Sequence, residues 1–124
     1  MKARNIKIGV KDLRTVLDET RETMERIAAG QVAQKVQDVN FTSYEAMRKI
    51  LTPRRLELLH VIKEQSPGSV YQLAQFLGRD TKNINGDLAI LANVGLIELR
   101  KTTKGKNKVI PCVTVDKIQV EITV

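Results

Sequence analysis

The residues of this chain best equipped for chemistry lie in one stretch, Gly78-Arg79-Asp80-Thr81-Lys82-Asn83-Ile84-Asn85-Gly86-Asp87. Asn and Asp can ligate a cation, Asn and Lys can bond bases or phosphates, and Asn-Gly is the strongest short-range turn signal. Calcium fails on spacing. With Asn83, Asn85 and Gly86 at the third, fifth and sixth positions of an EF-hand loop, Thr81 is first and Ala92 twelfth, so the essential carboxylates are missing. Zinc needs more than the one His and one Cys of the chain. His60 and Cys112 lack a third member for nucleophilic catalysis and read as a partly exposed helix residue and a packed strand residue. No glycine-rich phosphate loop is present. The expectation is a protein that is not an enzyme, with no cofactor and no metal.

The elements that must carry this stretch follow from the apolar pattern. Ile84, Leu88, Leu91 and Ala92 run through it at helical spacing and form one stripe at ~100° per residue. Lys82, Gly86, Ala89 and Asn93 lie opposite, with Asn83 and Asn85 towards the flanks. The spacing predicts a helix over 81–93 with Asp80 as its N-cap, and confines the turn to Gly78-Arg79-Asp80. Upstream, Ser69-Val70-Tyr71-Gln72 has the form of a capping box and opens a helix from Val70 to Leu77. Thr52-Pro53 opens another to about Gln65, with Leu56, Leu59 and Ile62 inward. Ser43 caps a short helix, Tyr44 to Leu51. Downstream, Leu96–Thr103 and Lys108–Val115 read as strands around a turn at Lys104–Asn107. Pro111 cannot donate to a ladder, so its strand is an edge or carries a bulge.

Both ends of the chain alternate. Ile6, Ile8 and Val10 predict one strand, and Ile118, Val120, Ile122 and Val124 predict another that pairs with it in the same or another chain. Between Lys11 and Ala29 a helix is expected, with Leu13, Val16, Leu17, Met24 and Ile27 on one face. Gln31–Asn40 reads as a linker that becomes a short strand near Phe41.

The 124 residues allow a modest core. The net charge of +7 favours an anionic partner, and five of the basic residues (Arg100, Lys101, Lys104, Lys106, Lys108) form a run without an acid. Aromatic content is 3% with no Trp, which argues against a stacking platform for single strands. No apolar run approaches ~20 residues and no leader opens the chain, so no membrane partner and a cytoplasmic location are expected. The single Cys112 agrees with a reducing compartment.

From Leu56 to Val115 the order is helix, short helix, tight turn, helix and basic hairpin. Ala74 is small where two helices cross closely, Gly78 suits a left-handed turn, and Ile84 fills the space between them. This is a helix-turn-helix pattern, and the hairpin makes it the winged variety. LTPRRLELLHVIKE, SVYQLAQFLGRDTKNINGDLAILANVGLIEL and the closing IQVEI resemble a group of predicted winged helix-turn-helix regulators of bacteria and archaea. These are relatives of the MarR-like DNA-binding domains, and some are antitoxin-like. The resemblance covers roughly residues 41–122. It implies an α+β fold: a winged helix-turn-helix domain over 41–124, with an additional N-terminal strand and helix over 1–40 for dimerisation or partner contact.

The resemblance also implies that the second helix of the pair enters the DNA major groove while the wing touches the backbone. Lys82, Asn83, Asn85 and Gly86 then belong to the groove-reading face, in which Asn can bond adenine bidentately and Lys can reach guanine or phosphate, and Arg79 and Thr81 are expected beside them among the DNA-binding residues. Related sequences often carry a basic residue where Gly86 stands. Phosphate contacts fall to Arg54, Arg55, Lys101, Lys104, Lys106 and Lys108, and to the helix N-terminus at Ser69. The expected function is a sequence-specific regulator of transcription bound to double-stranded DNA as a homodimer. The alternative is a protein-interaction module, such as an antitoxin or a winged helix docking on transcription machinery, with a protein partner at the N-terminal extension.

Overall fold

The computed structural model describes residues 5–30, 38–102 and 108–124. In chain order its elements are β1 (Asn5–Val10), α1 (Leu13–Ala28), β2 (Asp38–Phe41), α2 (Tyr44–Ile50), α3 (Pro53–Gln65), α4 (Val70–Leu77), α5 (Thr81–Val94), β3 (Ile97–Lys101), β4 (Val109–Val113) and β5 (Lys117–Ile122). The architecture is α+β. These elements divide into two units, one of residues 5–49 with 117–124 and one of residues 50–116. The sequence reading puts its boundary at residue 40 instead, and it groups the closing strand with the helices.

The first unit is built on the alternating strands at the two chain ends. β1 pairs in parallel with β5, with Ile6, Ile8 and Val10 opposite Ile118, Val120 and Ile122. The pairing expected between these two segments is thus made within one chain. β2 adds in parallel on the other side of β1, giving the order β2-β1-β5. A period of two sends Val39, Phe41 and the six isoleucines and valines to one face, and Lys7, Gly9, Asn40, Gln119 and Glu121 to the other. Gly9 has a specific reason: a Cβ there would stand 2.5 Å from Asn40 Oδ1. On the same polar face Lys7 Nζ lies 2.8 Å from Glu121 Oε2.

Between β1 and β2 runs α1. Asp12 caps it, its side chain accepting from Thr15 N–H at 2.7 Å. No residue of α1 is buried. Leu13, Leu17, Met24 and Ile27 are 61%, 59%, 66% and 53% exposed, so the apolar face read from the sequence exists and stands open.

The second unit is the helical one. Thr52 caps α3 with Pro53 at its first position, as expected. The buried side chains of α3 are Leu58, Leu59 and Ile62, while Leu56, expected inward, is 46% exposed. The reason is visible at Arg55. Positions 55, 58, 59 and 62 keep the i, i+3, i+4, i+7 spacing, and a half-buried arginine occupies the first of them. Reading apolar residues alone shifts the stripe to Leu56.

α4 buries Val70, Leu73 and Ala74, and α5 buries Ile84, Leu88 and Leu91. Each of the last three is within 1% of complete burial, worth about 1.5–3 kcal/mol of stabilisation apiece. Ala92 is only half-buried, at the margin of the stripe. After Gly95, a left-handed cap at φ 92°, Leu96 and Ile97 are buried and β3 pairs antiparallel with β4. Pro111 lies opposite Leu99 in this two-stranded ladder, where both strands are edges and a missing donor is tolerated.

Candidate functional site

The turn between α4 and α5 is closed by the backbone. Gly78 takes φ 61°, where a side chain is strained, and Arg79 N–H reaches back to Ala74 O at 3.1 Å. Asp80 then caps α5, accepting from Lys82 N–H at 3.2 Å. Only residues 78–80 belong to the turn. Asn85 and Gly86 lie inside the helix, because the stripe of Ile84, Leu88 and Leu91 behind them holds a helical period against the local hairpin signal.

This anchoring leaves one face of α5 open. Lys82, Asn83, Asn85, Gly86, Ala89 and Asn93 are all exposed, and Thr81 is half-exposed at the first turn. The face is small and polar, with the amides of Asn83, Asn85 and Asn93 and one ammonium. A Cβ built on Gly86 meets nothing within 4 Å, so no packing demand explains the glycine.

Asp87 is the residue that sequence reasoning missed. It sits on the flank of α5 and accepts from Arg55 Nε of α3 at 3.2 Å and from an Arg79 guanidinium nitrogen of the turn at 2.8 Å. The three side chains are only 15–21% exposed. Arg55 also donates to Ile50 O at 2.9 Å. Burial by itself would raise the Asp87 pKa. The hydrogen bonds and charges of Arg79 and Arg55 outweigh it and hold the carboxyl below its ordinary 3.8. One carboxylate thereby ties together α3, the turn and α5. The signal was present in the sequence: Asp87 is the one acid between Asp80 and Glu98, beside the buried stripe.

The remaining expected residues separate into groups. Arg54 is exposed at the start of α3, has no ion-pair partner among the described residues, and lines a recess of about 210 Å³ with Glu57, Leu58, Leu77 and Arg79. Arg55 and Arg79, expected among the DNA-binding residues, have their guanidinium groups committed to Asp87. Ser69 caps α4, its Oγ accepting from Gln72 N–H at 3.1 Å. The reciprocal half of that capping box is displaced by one residue: Gln72 Oε1 accepts from Gly68 N–H at 2.6 Å. On the hairpin, Lys101 and Lys108 are exposed at the ends of the ladder, and Lys104 and Lys106 lie outside the described residues.

His60 is exposed on α3 with Nε2 3.4 Å from Glu64. Cys112 is half-buried in a recess of about 250 Å³ that it shares with Ile62, Lys63, Pro67 and Ile110. Among the described residues no group of three or more His, Cys, Asp or Glu is placed to hold a metal ion. No described helix is long and apolar enough to cross a membrane.

No curated protein and no solved structure matches the chain. A family model does: HVO_A0114 matches residues 50–120, which takes in α3, the α4–turn–α5 pair and the β3–β4 hairpin, and the chain belongs to that family.

Proposed function

We propose that this protein is a sequence-specific regulator of transcription that binds double-stranded DNA, a MarR-like winged helix-turn-helix. In this reading α5 lies in the major groove and the β3–β4 hairpin is the wing. The observation that carries the proposal is the division of α5 into a fully buried stripe and an open, uncharged-to-basic face of Lys82, Asn83, Asn85, Gly86 and Asn93. A major groove admits one helix, and Asn and Lys supply the bonds that distinguish adenine and guanine there. Gly86 fits the same purpose, since a bare backbone at mid-face lets the helix approach the base edges closely.

Phosphate contacts are assigned to Arg54, Lys101, Lys104, Lys106, Lys108 and the α4 N-terminus at Ser69. Arg55 and Arg79 act one step back, holding α5 through Asp87. With four to six phosphates neutralised, the logarithm of affinity for duplex DNA should fall with log salt at a slope of roughly −4 to −5. Fluorescence anisotropy of a labelled duplex between 50 and 300 mM salt (about the usual range) measures it, and a slope near zero sinks the proposal.

The second reading, a protein-interaction module, draws on α1. Four large apolar side chains on a helix that buries nothing are a surface for a protein rather than for DNA. The two readings concern different elements and are compatible in one protein.

A further inference from the structure

Among the described residues, the outer edge of β5 is unpaired in a sheet of order β2-β1-β5. Every residue of β5 except Ile118 is exposed, so the edge is accessible. Its hydrogen-bonding groups can be placed. Thr123 N–H bonds Val10 O at 3.2 Å, and by the period of two the odd-numbered residues of β5 turn their backbone groups towards β1. Ile118, Val120 and Ile122 therefore direct their N–H and C=O outward. Folded proteins guard such an edge with a proline, a bulge or a covering element. β5, Lys-Ile-Gln-Val-Glu-Ile, contains no proline and pairs with β1 in unbroken register over all six residues.

We infer that this edge is an interface for a second copy of the chain, with β5 pairing antiparallel to its own symmetry mate to make one continuous six-stranded sheet. The occupant follows from self-complementarity. A two-fold axis through Gln119 sets Ile118 opposite Val120 of the partner copy, twice, and these are the residues whose backbone groups point outward. Apolar side chains meet on one face. On the other, Lys117 stands opposite Glu121 of the partner copy, also twice and as a non-hydrogen-bonded pair, where side chains approach most closely. Lys117 has no ion-pair partner among the described residues, and the exposed Glu121 carboxylate, 2.8 Å from Lys7 Nζ, would then lie between two ammonium groups. An isologous interface doubles each contact, so two charge pairs and two apolar pairs flank one Gln119 pair. The same device leaves Val120 and Ile122, now 44% and 50% exposed, on a continuous apolar face. The inference stands whether or not α5 binds DNA.

The test uses the full chain and charge reversal. Lys117→Glu places Glu against Glu at both ends of the interface, and Glu121→Lys places Lys against Lys. Sedimentation equilibrium should show a dimer for wild type and a dissociation constant raised roughly tenfold to a hundredfold in each single variant. Mixed in equal amounts, the two variants meet Glu to Lys at both positions and should form a heterodimer of near wild-type affinity. Unfolding cannot produce that recovery, and far-UV circular dichroism checks each variant separately. A monomeric wild type overturns the inference, as do single variants that dimerise normally or a mixture that stays monomeric. A dimer insensitive to these changes but dissolved by Leu17→Glu would move the interface to α1 and overturn it as well.

Discussion

α5 and α1 have nearly the same length and a comparable number of large apolar residues, and they use them oppositely. α5 closes Ile84, Leu88 and Leu91 against its neighbours and presents amides and an ammonium outward. α1 presents Leu13, Leu17, Met24 and Ile27 outward and buries none of its residues. An isolated helix of ~15 residues is marginal in water. α5 therefore owes its helix to tertiary packing, while α1 relies on local devices. These include the Asp12 cap and the Lys11–Glu19 ion pair. A helix held by its core can dedicate its outer face to recognition of a polar ligand. A helix with an open apolar face is suited to a protein surface.

That contrast can be broken by mutation. The largest effect is expected in the stripe of α5, where Leu88→Ala should cost about 2–5 kcal/mol in denaturant unfolding, because a site at 1% exposure has little room to relax. A loss below about 1 kcal/mol would contradict the packing described for α5.

Next comes the lock on its flank. Asp87→Ala leaves Arg55 and Arg79 without their shared carboxylate and should cost about 1–3 kcal/mol. The same group gives a pH dependence whose sign is fixed. The folded pKa of Asp87 lies below its ordinary 3.8, so its contribution is complete above that value and disappears as pH falls through the lower folded pKa. Wild-type stability should therefore drop below pH 3.8 by more than that of Asp87→Asn, and parallel acid titrations in which the two proteins lose stability equally would refute this.

Smaller and of opposite sign is Gly86→Ala. The added methyl meets nothing within 4 Å and the site is mid-helix, so stability should rise by about 0.5–1 kcal/mol. If the glycine serves groove approach, affinity for duplex DNA should fall in the same variant. A rise in both quantities would remove Gly86 from the interface. The smallest effect belongs to α1. Leu17→Ala should change unfolding by less than about 0.5 kcal/mol, since Leu17 is 59% exposed, and a cost like that of Leu88→Ala would mean that the stripe is covered.

Much of this was legible in the sequence. The period of Ile84, Leu88 and Leu91 outweighs Asn85-Gly86, because burying three large side chains is worth more than a local turn preference. The Asp80 cap, the Gly78 turn and the pairing of the two chain-end strands, though not its direction, could be read from residue type and alternation. Three features could not. Arg55 occupies a core-facing position, which displaced the stripe of α3 onto Leu56. The Arg55–Asp87–Arg79 cluster joins residues up to 32 apart in sequence: Asp87 stands out as a lone acid beside the stripe, but nothing local names Arg55 as its partner. The open stripe of α1 shares its pattern with a buried one, since spacing fixes which residues share a face and not whether anything covers it.

The central claim is that the outer face of α5 reads DNA. The most direct test is equilibrium binding of wild type, Lys82→Ala and Asn83→Ala to the duplex upstream of the protein's own coding sequence and to a random duplex of equal length. Wild type should prefer the upstream duplex, and Asn83→Ala should lose about 1–3 kcal/mol of that preference, the worth of one bidentate base contact. Lys82→Ala should weaken binding as well. Equal affinity of all three proteins for both duplexes would contradict the account.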